Sequence, residues 1–305
     1  MTETINIPEI PNLIHYAIPF FILTLIIEII VTSKKQMESY TFKDAAASIT
    51  MGLGNVFIGL LAKAMVFGIL TFVYLNFRIF TVPFVWWAWI LVLFADDFCY
   101  YWFHRISHEN RFFWASHVVH HSSRRYNLST ALRQTWSGSF MSFVFWLPMA
   151  VLGFHPIMIL AQMSISLLYQ YWIHTELIKK LPNWFEAVFN TPSHHRVHHA
   201  TNPQYLDRNH AGILIIWDKI FGTFEPEVEK PVYGLVKNID TYNPVKIAFL
   251  EWYLMLKDVV SSKTTFGNKL LYLIKPPGWK HDGTGMVSSD LRKEWVKNKK
   301  KSPDQ

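Results

Sequence analysis

The chain has 305 residues, of which 51% are hydrophobic and 16% aromatic, with a net charge of +7 and a positive mean hydropathy. A single cysteine, Cys99, excludes an internal disulfide and any cysteine-built zinc or iron–sulfur site. The basic residues flank apolar segments or lie in the Lys297–Lys301 tail and follow no nucleic-acid motif. They point away from a nucleic-acid partner and toward a membrane protein.

Residues 1–11 carry Glu3 and Glu9 and no basic leader, so the first apolar run is expected to stay as an anchor. That run, Asn12 to Thr32, is long enough to cross about 30 Å of hydrocarbon as a helix. A polar loop with Lys34, Lys35 and Lys43 follows. Ala46 to Leu75 predicts a second, tilted or kinked span, and Val82 to Trp102 a third that carries Asp96 and Asp97 near its end. Gly138–Gly153 and Pro156–Ile173 predict a hairpin of two shorter helices, spanning or re-entrant, broken at Gly153-Phe154-His155-Pro156. Asn243 to Val260 predicts an amphipathic helix. It either lies on the membrane with Trp252 and Tyr253 at the interface or packs on the catalytic domain. A lysine-rich surface tail closes the chain.

The expected fold is an all-α integral membrane protein of about four to five membrane helices with a histidine-rich di-metal cap. Its parts are the N-terminal membrane helices (1–93), a catalytic domain that includes the hairpin (94–236) and an amphipathic or surface tail (237–305). Basic loops stay in the cytoplasm, which assigns the Lys34–Lys43 loop to that side. Threading the spans from there brings His104–His121, His174 and His194–His199 out on the same face, of a bacterial inner membrane or the endoplasmic reticulum.

Eleven of the fourteen histidines fall between His104 and His199, where random placement would put roughly four or five. They form His104-x-x-x-His108, His117-x-x-His120-His121 and His195-x-x-His198-His199, with His174 between the second and third. Residues i, i+3 and i+4 share a helix face, so each cluster can turn its rings toward one place. Neutral imidazole is the commonest ligand for transition metals. Nine candidates, His104, His108, His117, His120, His121, His174, His195, His198 and His199, exceed what one octahedral ion takes, so a dinuclear centre is the economical reading. Ligand type leaves iron, copper, zinc and nickel open, but an all-histidine pair beside a membrane fits oxygen activation at two irons better than hydrolysis at zinc. Asp97 and Glu109 are the expected acceptors for imidazole N–H groups behind the ligands. His194 and His210 stand beside the ligand set, whereas His15, His155 and His281 read as isolated structural groups. Arg105, Arg133 and Arg196 are candidates for orienting a lipid head group or the carboxylates behind the metals.

The clusters and their setting resemble the fatty acid hydroxylase/sterol desaturase superfamily. The surrounding text is similar to its glyceryl-ether-cleaving branch: Asp97-x-x-x-Tyr101-Trp102-Phe103-His104-Arg105, Tyr126 to Gln134, Trp172 to Glu176, Asn190 to His199 and Ile215 to Glu225. The resemblance covers about residues 94–236. It implies a membrane enzyme, an O2-dependent non-haem di-iron oxidoreductase with the nine histidines as ligands. It also implies a lipid substrate and a tetrahydropterin or another electron donor, such as a donor protein. In that branch the ether-linked carbon of an alkylglycerol is hydroxylated and the hemiacetal collapses to a fatty aldehyde and glycerol. The chain departs from the branch at Arg124-Arg125, where the glyceryl-ether enzymes carry acidic residues. The runner-up is a fatty-acyl, sterol or carotenoid hydroxylase or desaturase. A membrane metal-binding or transport protein is the rival of another class, and it calls for ionisable residues along a path through the membrane.

Overall fold

A computed structural model describes residues 13–301; Asn12, the stretch with Glu3 and Glu9, and the side chain of His15 lie outside what is described. Among the described residues the chain is helical, with isolated backbone bridges at Phe189–Leu214 and Ala200–Tyr233 in place of a sheet. Four helices organise it: α1 (Leu13–Lys34), α2 (Phe42–Phe77), α3 (Trp86–Glu109) and α4 (Arg111–His121).

Among the described residues, two helices are long and apolar enough to cross a membrane, over Tyr16–Lys34 and Phe42–Phe77. Their outward faces carry Phe20, Leu23, Ile26, Phe57, Leu60 and Leu61, all exposed, the reverse of a water-soluble surface. The apolar exposure continues on α3 at Trp86, Ile90, Leu91 and Phe94. α2 has 36 residues and so runs about 54 Å, well beyond the hydrocarbon thickness. Between α2, α3 and the helix Pro156–Trp172, a core forms around Leu70, Val92, Trp146, Met149, Met158 and Ile159.

The expected hairpin is half right. Pro156–Trp172 is one helix, but its other arm breaks into Ser139–Ser142, a 3-10 turn at Phe143–Phe145 and Leu147–Val151. Pro148 has no N–H to bond back one turn and its ring crowds the preceding carbonyl, so the helix restarts there instead of continuing. Gly153 then turns the chain with φ +95°, at a point where a Cβ would lie 2.1 Å from the Phe80 carbonyl oxygen.

The loops sort to two ends. At one, the α2–α3 link packs on this turn through Ile79 N–H to Val151 O (2.8 Å) and Val82 N–H to Gly153 O (3.0 Å). At the other, the loop between α1 and α2 meets the histidine-bearing segments: Ser39 donates to Glu176 (2.8 Å), and Asn127 donates to the Ser39 carbonyl.

The helix Pro244–Ser261 packs on the histidine-bearing part by one face and leaves an apolar face exposed on the other. Ile247, Ala248 and Met255 are buried, and Arg111 fastens the helix to α4 through Glu251 (2.9 Å) and Asp258 (2.7 Å). Val245, Phe249, Tyr253, Leu256 and Val260 stay exposed. Trp252 belongs to the packed face, where it meets Phe112 and donates to Ser137, so of the two expected interface residues only Tyr253 is free for that place.

Candidate metal centre

α3 ends at Asn110, whose side chain accepts from Phe112 N–H and Phe113 N–H to start α4. This tight reversal folds the His104/His108 face back onto the face of His117, His120 and His121. The end of Pro156–Trp172 adds His174, and the short helix Pro192–His198 adds the third cluster.

All nine candidate ligands come together, in two sets. Ring nitrogens of His104, His108, His117, His121 and His198 lie within 4.8 Å of one another, and those of His120, His174, His195 and His199 do the same. The two adjacent pairs are split between the sets, His121 and His198 to one, His120 and His199 to the other. Neighbours on a helix point about 100° apart, so a His-His pair suits two sites side by side.

Within the first set the Nε2 atoms run His104–His117 at 3.0 Å, His117–His121 at 3.1 Å and His121–His198 at 3.1 Å. Within the second they run His120–His174 at 3.1 Å, His174–His195 at 3.0 Å and His195–His199 at 3.2 Å. Three rings donate Nδ1–H to backbone carbonyls: His104 to His210 (2.7 Å), His174 to Gln170 (2.7 Å) and His198 to Arg208 (2.9 Å). A neutral ring has one N–H, so these three turn an Nε2 lone pair inward. Buried lone pairs aimed at one another repel unless a cation lies between them. Two nitrogens held at right angles about 2.1 Å from one metal sit roughly 3.0 Å apart, which is the spacing found. The donor sets therefore fit transition-metal ions.

Burial, joined by mutual repulsion among the rings, holds His117, His121, His195, His198 and His199 well below the ordinary histidine value, and burial puts His120 at about 4. The rings are thus neutral, the ligand form, at pH 7. Folded values below the unfolded 6.5 mean that the stabilisation is complete above pH 6.5 and is lost as pH falls toward 4, because the unfolded chain takes up the protons. Metal retention should fall in the same window. Thermal melts and metal content measured from pH 7.5 to 4 check this; a flat profile would count against neutral buried rings.

The expectation that Asp97 and Glu109 accept imidazole N–H groups is not met. Asp97 accepts from Ile213 N–H (2.7 Å), Leu214 N–H (2.8 Å) and the Trp217 indole (3.0 Å), which pins the segment after the third cluster to α3. Glu109 is half exposed and pairs with Arg105 (3.0 Å). Backbone carbonyls take the imidazole protons instead, and carbonyls have no residue signature to read. A carboxylate does lie near the first set, that of Asp207, 3.5 Å from His108 Nδ1, a residue only eight positions past the third cluster.

The three candidate arginines are engaged within the protein. Arg105 is held by Glu109, Arg133 by Asp44 (3.1 Å), and Arg196 by Glu227 (2.6 Å) and three carbonyls. Each guanidinium is thus engaged by a carboxylate of this chain. Arg124 and Arg125 pair with Asp240 and Glu38, so the unusual basic pair is neutralised locally. His194 joins neither set; it faces Glu186 (3.8 Å) beside a cavity of about 430 Å³ that Lys179, Lys180 and Lys219 also line. His155 caps the helix Pro156–Trp172, and His281 meets the Tyr272 hydroxyl, both structural as expected. The Tyr126–Gln134 run is a brace: Tyr126 donates to the Ile173 carbonyl (2.9 Å) and Leu128 N–H to Glu28 of α1 (2.8 Å).

The fatty acid hydroxylase family matches residues 89–223, which contain all nine histidines. The chain is 41% identical over 278 residues to alkylglycerol monooxygenase from Homo sapiens, 38% over 277 to that of Xenopus tropicalis and 40% over 278 to that of Danio rerio. Each alignment covers 90% of this chain and 61% of the relative, so the chain spans about three fifths of these relatives' length. No solved structure matches it. Both histidine sets thus fall inside the stretch that matches the fatty acid hydroxylase family.

Proposed function

We propose that this chain is a multi-pass membrane monooxygenase of the non-haem di-iron type that hydroxylates a lipid at an aliphatic C–H, the ether-linked carbon of an alkylglycerol. The observation that carries the reading is the pair of buried all-imidazole donor sets at one end of outward-facing apolar helices. The five-histidine set would hold one iron and the four-histidine set the other. When bound, the irons supply O2 activation: one oxygen atom enters the C–H bond and the other leaves as water, with two electrons and two protons from a donor, a tetrahydropterin or a donor protein.

The chain's own contribution is positional. Carbonyls of Gln170, Arg208 and His210 fix three rings so that their lone pairs stay convergent, and burial of the cap keeps water from the oxidant. A lipid in the leaflet would keep its tail along α2 and α3 while its head-group end meets the cap. Hydroxylation beside an ether oxygen leaves a hemiacetal, which falls apart to aldehyde and glycerol without further catalysis. The name of the animal relatives supports the ether carbon as the target. α1, α2, the apolar part of α3 and Pro156–Trp172 would be the spans, and Lys34, Lys35 and Lys43 at the histidine end favour a cytoplasmic cap.

Membranes carrying the chain, given alkylglycerol labelled in its alkyl chain and a tetrahydropterin, should release labelled fatty aldehyde or acid. Intact ether lipid beside a newly hydroxylated acyl chain would move the substrate to the runner-up class. One zinc and no iron per chain after iron-replete expression would overturn the oxygenase reading.

A further inference from the structure

Nothing in the spacing of residues 207–210 singles them out, yet this turn reaches the five-histidine set at three points. The Arg208 carbonyl accepts from His198 Nδ1–H (2.9 Å), the His210 carbonyl accepts from His104 Nδ1–H (2.7 Å), and the Asp207 carboxylate lies 3.5 Å from His108 Nδ1. Asp207 and Asn209 both hold left-handed backbone, at φ +52° and +56°. Such conformations cost about 1–3 kcal/mol each for residues other than glycine and persist only where the surroundings over-determine them.

Here the surroundings do so. Asn209 is fully buried; its amide donates to the His194 (3.0 Å) and Glu225 (2.8 Å) carbonyls and accepts from Glu225 N–H (2.8 Å). The Asp218 carboxylate accepts from His210 N–H and Ala211 N–H, each at 2.8 Å. A strained turn tied this firmly, with its carbonyls spent on two imidazoles, is built to aim them.

The His210 ring adds a second observation. It is fully buried, and its centre lies 5.2–5.7 Å from those of His104, His108 and His198. Neither ring nitrogen has a hydrogen-bond partner; the Asp207 backbone makes a polar approach outside hydrogen-bond geometry. Among the described residues no other buried imidazole has both nitrogens in that state. An unmet buried donor or acceptor costs about 1–3 kcal/mol, so a polar occupant is called for beside this ring. The five-histidine set supplies five ligands, one short of an octahedron, which leaves one place for a small oxygen donor.

We propose that Asp207–His210 is the positioning strap of the five-histidine metal, and that the His210 ring hydrogen-bonds to a water completing that metal's coordination. The proposal rests on the two-metal reading above. His210 acts as a positioning residue, through its carbonyl on His104 and through its ring on the water.

The test compares wild-type holoenzyme with His210→Phe, which keeps ring volume and removes both nitrogens, and with His210→Gln, which restores a donor. Iron per chain under graded chelator and the Mössbauer spectrum are read alongside the thermal melt. His210→Phe should lose one of its two irons about 10–100-fold more readily, with one iron's signal changed and the other's kept. His210→Gln should recover part of both. Wild-type spectrum and chelator resistance in a folded His210→Phe would overturn the proposal, and so would equal losses in the two variants, which mean packing alone. If His210→Phe does not fold, His210→Leu takes its place with the same outcomes. A wild-type protein without two irons would fail the two-metal reading itself, a separate result.

Discussion

His121→Ala is expected to release one metal and leave lipid hydroxylation at background, a fall of well over the roughly 100-fold that loss of a group behind a metal ligand can cost. His121 lies in the middle of the first set, with Nε2 facing both His117 and His198 at 3.1 Å. Removing it takes one ligand and leaves its neighbours' lone pairs opposed across a gap. His199 of the second set stacks on the His121 ring (4.4 Å between centres), but no Nε2 of that set lies in the run of nitrogens, so about one iron per chain should remain. Metal analysis of the purified variant, beside the labelled-lipid assay, checks both parts; two retained irons would break the assignment of His121. His120→Ala should empty the other set instead, because the adjacent pair is divided between them. Glu109→Gln is the matching control. Its carboxylate is half exposed and bonded to Arg105, so stability should move by no more than about 0.5 kcal/mol and metal content not at all.

That contrast marks what the sequence carries and what it does not. Ligand candidacy is legible because i, i+3, i+4 spacing is a local geometric property, and the eight histidines named from it converge together with His174, named from its place at the end of an apolar helix. Their division into five and four is not legible, since the direction each member of a His-His pair takes depends on how α4 and Pro192–His198 are packed. The groups behind the ligands are hidden for a different reason: they are carbonyls of Gln170, Arg208 and His210, and any residue offers a carbonyl. Asp97 and Glu109 look suitable because they are close in the chain to His104 and His108, but Asp97, on the same face, stands about two turns down the axis and is taken by Ile213, Leu214 and Trp217, while Glu109 leaves by another face. Long, nearly uncharged runs announce α1, α2 and Pro156–Trp172, while the run ending at Gly153 looks like them and is broken by one proline. Charge also sorts the loops as the packing does, with the Lys34–Lys43 segment at the histidine end.

Arg133→Met is expected to cost about 3–5 kcal/mol, because it strands a buried carboxylate. Arg133 is 1% exposed and donates to Asp44 (3.1 Å), Ser48 (3.2 Å) and Ser122 (2.9 Å). Asp44, equally buried at the start of α2, would keep only the Ser123 hydroxyl (2.5 Å). Asp44→Leu alone should be as harmful, since it leaves the buried guanidinium with two hydroxyls and one distant backbone carbonyl (3.5 Å) and no counter-charge. Arg133→Met combined with Asp44→Leu should lie much nearer wild type, because a buried ion pair pays most of its Coulomb gain back in desolvation. The ordering matters for function. Ser122 and Ser123 directly follow His121, so this pair couples the base of α2 to the turn that ends the second histidine cluster. Loss of the pair should therefore lower the melting temperature and iron content together, and the double variant should recover both. If iron content returned to wild type in either single variant while the melt stayed low, the pair would be a stability element with no hold on the metal site.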